Sequence, residues 1–300
     1  MEICDFYQLL VKNGSKNVFL DEPMKQHTSW RIGGPADIFY RPDSIEECSE
    51  VIKLARINQI PITFFGAGTN VLVSDEGIRG LIIQTEGLCE IIWGEVCVTA
   101  GTGVLLAHLS RIAAEKGLSG LEFAVGIPGS LGGATLMNAG AYGYSLGDSI
   151  TSVRTLNLEG SINIYYKDDL NWSYRESIFK KKKELIVEVV LCLKPGNKTQ
   201  IKEMMSKYLL CRKEKQPLDL PNSGSVFKNT SQGAGRLIEE VGAKGWRVGD
   251  AQVSTKHANF IVNLGNAKAE DICALVKKVQ EAVKKQYGIE LETEVVFLGF

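Results

Sequence analysis

Cys48, Val51, Ile52 and Ala55 recur at the spacing that gathers apolar side chains on one face of a helix. Ser44, followed three residues later by Glu47, is a capping box that starts this helix, and Asn58 and Gln59 end it. Residues 60–65 read as a buried strand that runs into Gly66 and Gly68. Residues 81–83 are apolar again, and 90–100 reads as a hairpin turning near Gly94. The pattern predicts a helix over 102–116, with Leu105, Leu109, Ile112 and Ala113 inward and Gly117 as its stop. Short strands follow around 153–158, 162–166 and 185–193, so the middle of the chain is more β than α. Pro195 and Gly196 mark a break before a helix at about 199–213. Beyond Pro217 and Pro221 the chain has its own αβ pattern: a short helix near 236–241, a strand near 259–263, a helix over 269–287 and a closing strand over 292–298. Ile272, Leu275, Val276, Val279 and Val283 give the long helix an apolar stripe, read as core packing.

Three hundred residues allow two or three modest domains. A net charge of −1 lacks the electrostatic footprint of a nucleic-acid binder. The basic run 180–183 is followed at once by Glu184 and reads as a solvated turn. Seven cysteines without a CxxC pair predict reduced thiols in the cytoplasm. The N-terminus has no basic segment with an apolar core behind it, and no apolar run approaches the ~20 residues that span a membrane. His27, His108 and His257 are far apart in sequence, so no metal is expected.

The candidate chemistry begins at residues 126–143, where six of eighteen residues are glycine. Glycine is costly to order, and so many together suit a loop that brings bare backbone N–H groups against an anionic, phosphate-containing ligand. A second glycine loop opens at Gly66. The pair suggests one large cofactor gripped from two sides, a dinucleotide. Position 71 is valine, so the first loop is not a Rossmann GxGxxG. Ser223, Gly224 and Ser225 form a turn flanked by Lys228 and Asn229. It reads either as a hydrophilic turn before a helix or as a hydroxyl presented for proton transfer with lysines for a phosphate. The surroundings are not GxSxG, so Ser225 is no hydrolase nucleophile. Arg175, beside Trp172 and Tyr174, is either solvated or faces a carboxylate or developing oxyanion. Glu292 and Glu294 alternate on one strand face, either as solvated carboxylates or as part of a site.

Segments 28–36, 66–70, 126–143, 173–177, 224–229, 256–263 and 291–295, taken in this order, resemble the UDP-N-acetylenolpyruvoylglucosamine reductase family. These flavoenzymes make UDP-N-acetylmuramate for bacterial peptidoglycan. The resemblance implies an α+β protein: a two-part FAD-binding fold of the vanillyl-alcohol-oxidase (PCMH) type plus a C-terminal αβ domain for the UDP-sugar. The expected boundaries are 1–80 joined by about 293–300, then 81–212, then 213–292. It also implies non-covalent FAD, with NADPH giving a hydride to flavin and flavin passing it to the enol ether. Matched by motif, Arg175, Ser225 and Glu294 fall on catalytic positions, with Ser225 as proton donor. Arg31, Gly66, Ala67, Gly68, Thr69, Asn70, Gly126, Ile127, Pro128, Gly129, Ser130, Gly133, Ala134, Asn138, Gly140, Ala141 and Gly143 fall on cofactor positions. Lys215, Lys228, Asn229, His257 and Asn259 fall on substrate positions, Lys215 and Asn229 at the diphosphate. Arg175 is soon followed by the 185–193 strand, leaving little room for the tyrosine-bearing insertion of some members, so the chain resembles the shorter subtype. The implied partners are small molecules, the UDP-sugar and NADPH, in the cytoplasm, with no nucleic acid, membrane or protein partner. Competing readings are another flavin oxidoreductase of this fold acting on a sugar lactone or alcohol, and a non-catalytic flavin- or nucleotide-sugar-binding module.

Overall fold

The computed structural model describes residues 1–300, which divide into two compact units. The first comprises residues 1–20, 37–67 and 80–210, and the second 21–36, 68–79 and 211–300.

The first unit opens with helix α1 (Ile3–Lys12), which buries Phe6 and Leu10 and has no side-chain cap at its N-terminus. Helix α2 (Ile45–Ile57) starts as expected, with the Ser44 side chain accepting the Glu47 N–H at 3.1 Å. The returning half of the box differs. The Glu47 carboxylate accepts from the Asp43 N–H and the Tyr40 hydroxyl, so the cap also fastens the preceding strand. Cys48, Val51, Ile52 and Ala55 are buried, together with Phe6, Leu10, Ile38, Leu81 and Ile83. Burial and nearby Glu47 and Glu46 push the Cys48 thiol up to about 12, which makes it inert. A four-stranded sheet carries this core, in the order Val18–Pro23, Pro35–Tyr40, Ile78–Gln84, Ile62–Phe65. Its last pair is parallel, with Phe65 opposite Gln84, and Gly66 follows.

A second core of this unit sits on a five-stranded antiparallel sheet in the order Ile162–Tyr166, Ile150–Leu156, Leu185–Cys192, Cys97–Gly101, Ile91–Trp93. The hairpin turns at Gly94, whose N–H donates to Cys97 O at 2.8 Å. Helix α3 (Leu106–Lys116) ends on Gly117 at φ 73°. The chain leaves its helical path one residue before Leu106. Leu105, expected inward, is the N-cap residue and is 55% exposed. Helix α4 (Leu131–Leu136) is a short piece inside the glycine run, and α5 is Lys198–Lys215. The expectation of reduced thiols throughout is corrected here. Antiparallel pairing sets Cys97 opposite Cys192 with Cα atoms 4.1 Å apart, and the two form a disulfide. A separation of 95 residues hides this pair from any local spacing rule.

The second unit contains helix α6 (Ala234–Glu240), helix α7 (Ala269–Tyr287) and a three-stranded antiparallel sheet, Arg247–Val248, Ala251–Val253, Ile261–Asn263. The predicted stripe of α7 is buried in its core with Trp30, Leu72, Val226 and Phe227. The closing strand is shorter than expected, Val296–Leu298, and pairs in parallel with Val71–Val73. The residues before it run alongside the Ser225 segment instead, with Thr293 opposite Phe227. No helix is long and apolar enough to cross a membrane.

Candidate active site

In the first unit the glycine run is pinned from one side. Leu106 N–H donates to Gly129 O (3.0 Å), Leu131 N–H to Val104 O (2.7 Å) and Gly132 N–H to Thr102 O (2.9 Å). Ser130 Oγ accepts the Gly133 N–H at 3.4 Å and caps α4. A Cβ on Gly66 would lie 2.9 Å from Ser130 Oγ, so the start of the first glycine loop lies against the second. Ile127 and Pro128 follow the short turn Glu122–Gly126, Ala134 is buried in α4, and Gly140–Ala141 pairs with Tyr144–Ser145 around Gly143.

The glycines serve two purposes. A Cβ on Gly132 would run into Thr102 Oγ1, so that glycine is demanded by the protein's own packing. A Cβ on Gly133 would meet only Ser130 Oγ, at an ordinary 3.6 Å. Gln84, opposite the residue before Gly66, and Thr135, inside α4, are buried with side-chain oxygens that no protein group satisfies. Buried polar atoms of this kind ordinarily have partners. A loop rich in backbone amides beside unsatisfied polar atoms fits a polar, phosphate-bearing cofactor such as FAD.

Arg175 is built onto this loop. It sits at φ 56° in a tight turn closed by Ser173 and Glu176, a conformation that costs a non-glycine residue about 1–3 kcal/mol. Arg175 Nη2 donates to Gly140 O at 3.2 Å, and Ser177 Oγ donates to Leu136 O at 2.7 Å. Asn138 joins the two segments: its Nδ2 donates to Ser173 O at 2.8 Å and its Oδ1 accepts the Gly147 N–H at 3.0 Å. Lys180 Nζ donates to Arg175 O at 2.6 Å. The Tyr174 ring centroid lies 5.1 Å from the guanidinium carbon. Asn138 was expected at the cofactor. Its side chain holds the arginine turn to the glycine loop.

In the second unit, Thr28 Oγ1 donates to Ile32 O (2.7 Å) and accepts the Ile32 N–H (3.1 Å), closing a loop that carries Arg31 exposed at φ 58°. Ser29 N–H donates to Gly68 O, one residue before Thr69, and Ser29 Oγ is buried without a protein partner. Asn70 Nδ2 donates to Glu294 O at 3.1 Å, and the Asn70 carbonyl accepts the Val296 N–H at 3.0 Å. Sequence reasoning put Asn70 at the cofactor. The structure uses it to fasten the segment that carries Glu294.

Ser225 follows an Asx turn. Asn222 Oδ1 accepts the Gly224 N–H at 3.0 Å, which places Gly224 at φ 78°, where a side chain would be strained. Asn222 Nδ2 donates to the Pro217 and Leu220 carbonyls. Beyond Ser225 the chain is extended: Glu294 N–H donates to Val226 O and Lys228 N–H to Glu292 O, both at 2.8 Å. Ser225 and Glu294 thus sit on neighbouring segments of one unit. Ser223, read from the sequence as part of the same turn and not as a site residue, is 4% exposed with a hydroxyl that no protein group satisfies.

The substrate positions are unevenly committed. Lys215 is exposed at the end of α5. Lys228 Nζ pairs with Glu292 Oε1 at 2.8 Å. Asn229 Oδ1 accepts the Ala234 N–H at the start of α6 (2.9 Å). His257 Nδ1 accepts the Asn259 N–H at 3.2 Å, which requires that nitrogen to be unprotonated. Burial, aided by Lys244 and opposed by Glu239, holds this imidazole below the usual histidine range. The Asn259 side chain bonds the Phe227 backbone at both ends.

Known proteins resemble this chain over nearly its whole length. Residues 36–164 match the family model described as an FAD binding domain. Residues 216–298 match that described as the C-terminal domain of UDP-N-acetylenolpyruvoylglucosamine reductase. The chain is 45% identical over 293 residues to the UDP-N-acetylenolpyruvoylglucosamine reductase of Agathobacter rectalis, covering 93% of each protein. It is 45% identical over 298 residues to the Clostridium tetani protein of that name, covering 98% of this chain and 97% of the other. The crystal structure of the Thermus caldophilus reductase superposes with a TM-score of 0.79 at 34% identity, covering 94% of this chain and 98% of that one. With an FAD-binding domain, a reductase C-terminal domain and full-length relatives at this identity, the chain belongs to the UDP-N-acetylenolpyruvoylglucosamine reductase family.

Proposed function

We infer that this chain reduces UDP-N-acetylglucosamine enolpyruvate to UDP-N-acetylmuramate with NADPH and FAD, a step in making peptidoglycan precursors in the cytoplasm. The observation that carries the reading is an arginine turn hydrogen-bonded to a glycine loop, in a chain that matches reductases over nearly its whole length. Residues 66–70 and 126–143, with Arg31, would hold FAD, which when bound relays a hydride from NADPH to the substrate. The proposed division is 1–80 with 293–300, 81–212, and 213–292 for the UDP-sugar.

The residues then have separate tasks. Hydride arriving at the methylene carbon of the enolpyruvyl group pushes negative charge onto its carboxylate. Arg175, already held in place, stabilises that charge without reorganising. The adjacent carbon needs a proton, and Ser225 donates it. A serine hydroxyl is a weak acid, so fixed placement and positive surroundings must make up the difference. Glu294, on the neighbouring segment, polarises the donor. Lys215 and Asn229 bind the diphosphate, with Lys228 as a further substrate contact.

The test separates the two halves of the cycle by flavin absorbance. Wild-type protein bleached by NADPH without air is expected to regain its colour on addition of the enolpyruvyl substrate. Ser225→Ala is expected to bleach at the normal rate and regain colour about 10²–10⁴-fold more slowly, the usual worth of a placed acid. Ser225→Cys, which keeps a dissociable proton there, should recover part of the rate. A bleached wild type that ignores the substrate overturns the function. Normal recolouring in Ser225→Ala removes the serine from the mechanism.

A further inference from the structure

The segment that carries Ser225 runs on one side against residues 292–294, with Phe227 opposite Thr293. There, Val226 O and Lys228 N–H bond to residues 292–294. On the other side it runs along residues 259–263, where Asn222 bridges Val262, the Asn263 N–H donates to Pro221 O, and Asn259 makes the bonds to 226–227. The Asn259 carbonyl accepts the Val226 N–H at 2.9 Å, Asn259 Oδ1 accepts the Phe227 N–H at 2.9 Å, and Asn259 Nδ2 donates to Phe227 O at 2.8 Å. Asn259 N–H donates in turn to His257 Nδ1. Every polar group of Asn259 has a partner inside the protein, and the residue is 6% exposed. The Asn259 side chain carries this edge beyond the end of strand Ile261–Asn263 by bonding the Phe227 backbone at both ends.

We propose that Asn259 is the positioning residue of the proton donor: its amide fixes the register of 226–227 and so the place of Ser225 beside Glu294. The motif resemblance put Asn259 at the substrate, and the geometry gives it a different task. Without that side chain the Phe227 N–H and carbonyl lose their partners, and at 226–227 only the Asn259 backbone carbonyl, on the Val226 N–H, still holds the segment from this side. A slip of one residue moves Ser225 by about 3.3 Å and reverses its face. Misplacement of even about 1 Å can cost a reaction step on the order of 10²-fold. The proposal rests on Ser225 being the proton donor.

Asn259→Asp is the discriminating change. The shape is kept and one oxygen still accepts the Phe227 N–H. The other faces Phe227 O, where an ionised carboxylate repels and a protonated carboxyl can donate. The flavin holoprotein of Asn259→Asp is bleached with NADPH and mixed with saturating enolpyruvyl substrate across a pH range, beside wild type, Asn259→Ala and Ser225→Ala. Bleaching should be normal in all. Recolouring in Asn259→Asp should be about 10²-fold slow at neutral pH. Its ratio to wild type at the same pH should climb as pH falls, whereas Asn259→Ala should stay slow throughout. Backbone hydrogen exchange of 222–229 should be faster in Asn259→Ala and in Asn259→Asp at neutral pH, with flavin content unchanged. An Asp variant that recolours like wild type at every pH, or a ratio that does not move with pH, overturns the proposal. So does a normal rate at saturation with only the KM for the UDP-sugar raised, which would make Asn259 a ligand of the substrate. If Ser225→Ala itself recolours normally, the proton-donor reading fails first. If Ser225→Ala is slow and Asn259→Asp is not, only the positioning role fails.

Discussion

Two adjacent glycines, Gly132 and Gly133, look interchangeable in the sequence and have opposite surroundings. A side chain on Gly132 would strike Thr102 Oγ1, whereas one on Gly133 has ordinary room beside Ser130 Oγ. Gly132→Ala must push apart the contact that pins the loop to 102–106, and overpacking of this kind costs typically about 1–3 kcal/mol. Its thermal midpoint should drop whether or not flavin is present. Gly133→Ala should keep its midpoint as apoprotein and instead lower the affinity for FAD, measured by titrating apoprotein with the cofactor. A Gly133→Ala protein that binds FAD at full strength would place the cofactor away from that residue. The same contrast governs the asparagines. Asn70, Asn138 and Asn259 each carry a side chain that could meet a ligand. The backbone carbonyls they bond belong to residues 224, 35 and 32 positions away. A polar residue in a motif advertises a hydrogen bond, but distant chain decides whether protein or ligand receives it.

Elements were legible where their signals are local. Helix α2 announced its cap, α7 its apolar stripe, and the hairpin its turn at Gly94. Helix α1 was missed because it lacks a side-chain cap and buries only two residues, so tertiary packing decides it. The 292–295 stretch alternated like a strand, and most of it is extended without joining a sheet, because its partner is the Ser225 segment. Pairing across the five-stranded sheet was the least legible feature, and the Cys97–Cys192 bond is its consequence. That bond gives an element-level prediction. Denatured without reductant, the protein should titrate five thiols, and after reduction seven. Cross-linking across 95 residues restrains the unfolded chain, so Cys97→Ser with Cys192→Ser should lower stability by about 2–4 kcal/mol relative to unreduced protein. Seven thiols without reductant would mean that the two strands meet with the sulfurs unjoined.

At the scale of the molecule, the proposed cofactor and substrate residues fall in stretches that the fold holds in different ways. The glycine run 126–143 is pinned on one side by residues 102–106 and carries the Arg175 turn, while 222–229 is pinned by Asn259 and 292–294. A ligand that binds only the folded state stabilises it by RT ln(1 + [L]/Kd), about 2.7 kcal/mol at a hundredfold excess over Kd. Both ligands should therefore raise the thermal midpoint, but they should quiet different backbone. FAD added to apoprotein is expected to slow hydrogen exchange in 66–70, 126–143 and the 173–177 turn. The UDP-sugar added to holoprotein is expected to slow it in 215–229. Neither should change residues 98–100, whose backbone is already paired on both sides by Leu185–Cys192 and Ile91–Trp93. Acid precipitation should leave the flavin in solution, because the fit rests on amides and hydroxyls and not on a covalent tether. Flavin that stays with the precipitate would contradict that fit, and protection of 126–143 by the UDP-sugar in flavin-free protein would reassign the glycine loop from cofactor to substrate.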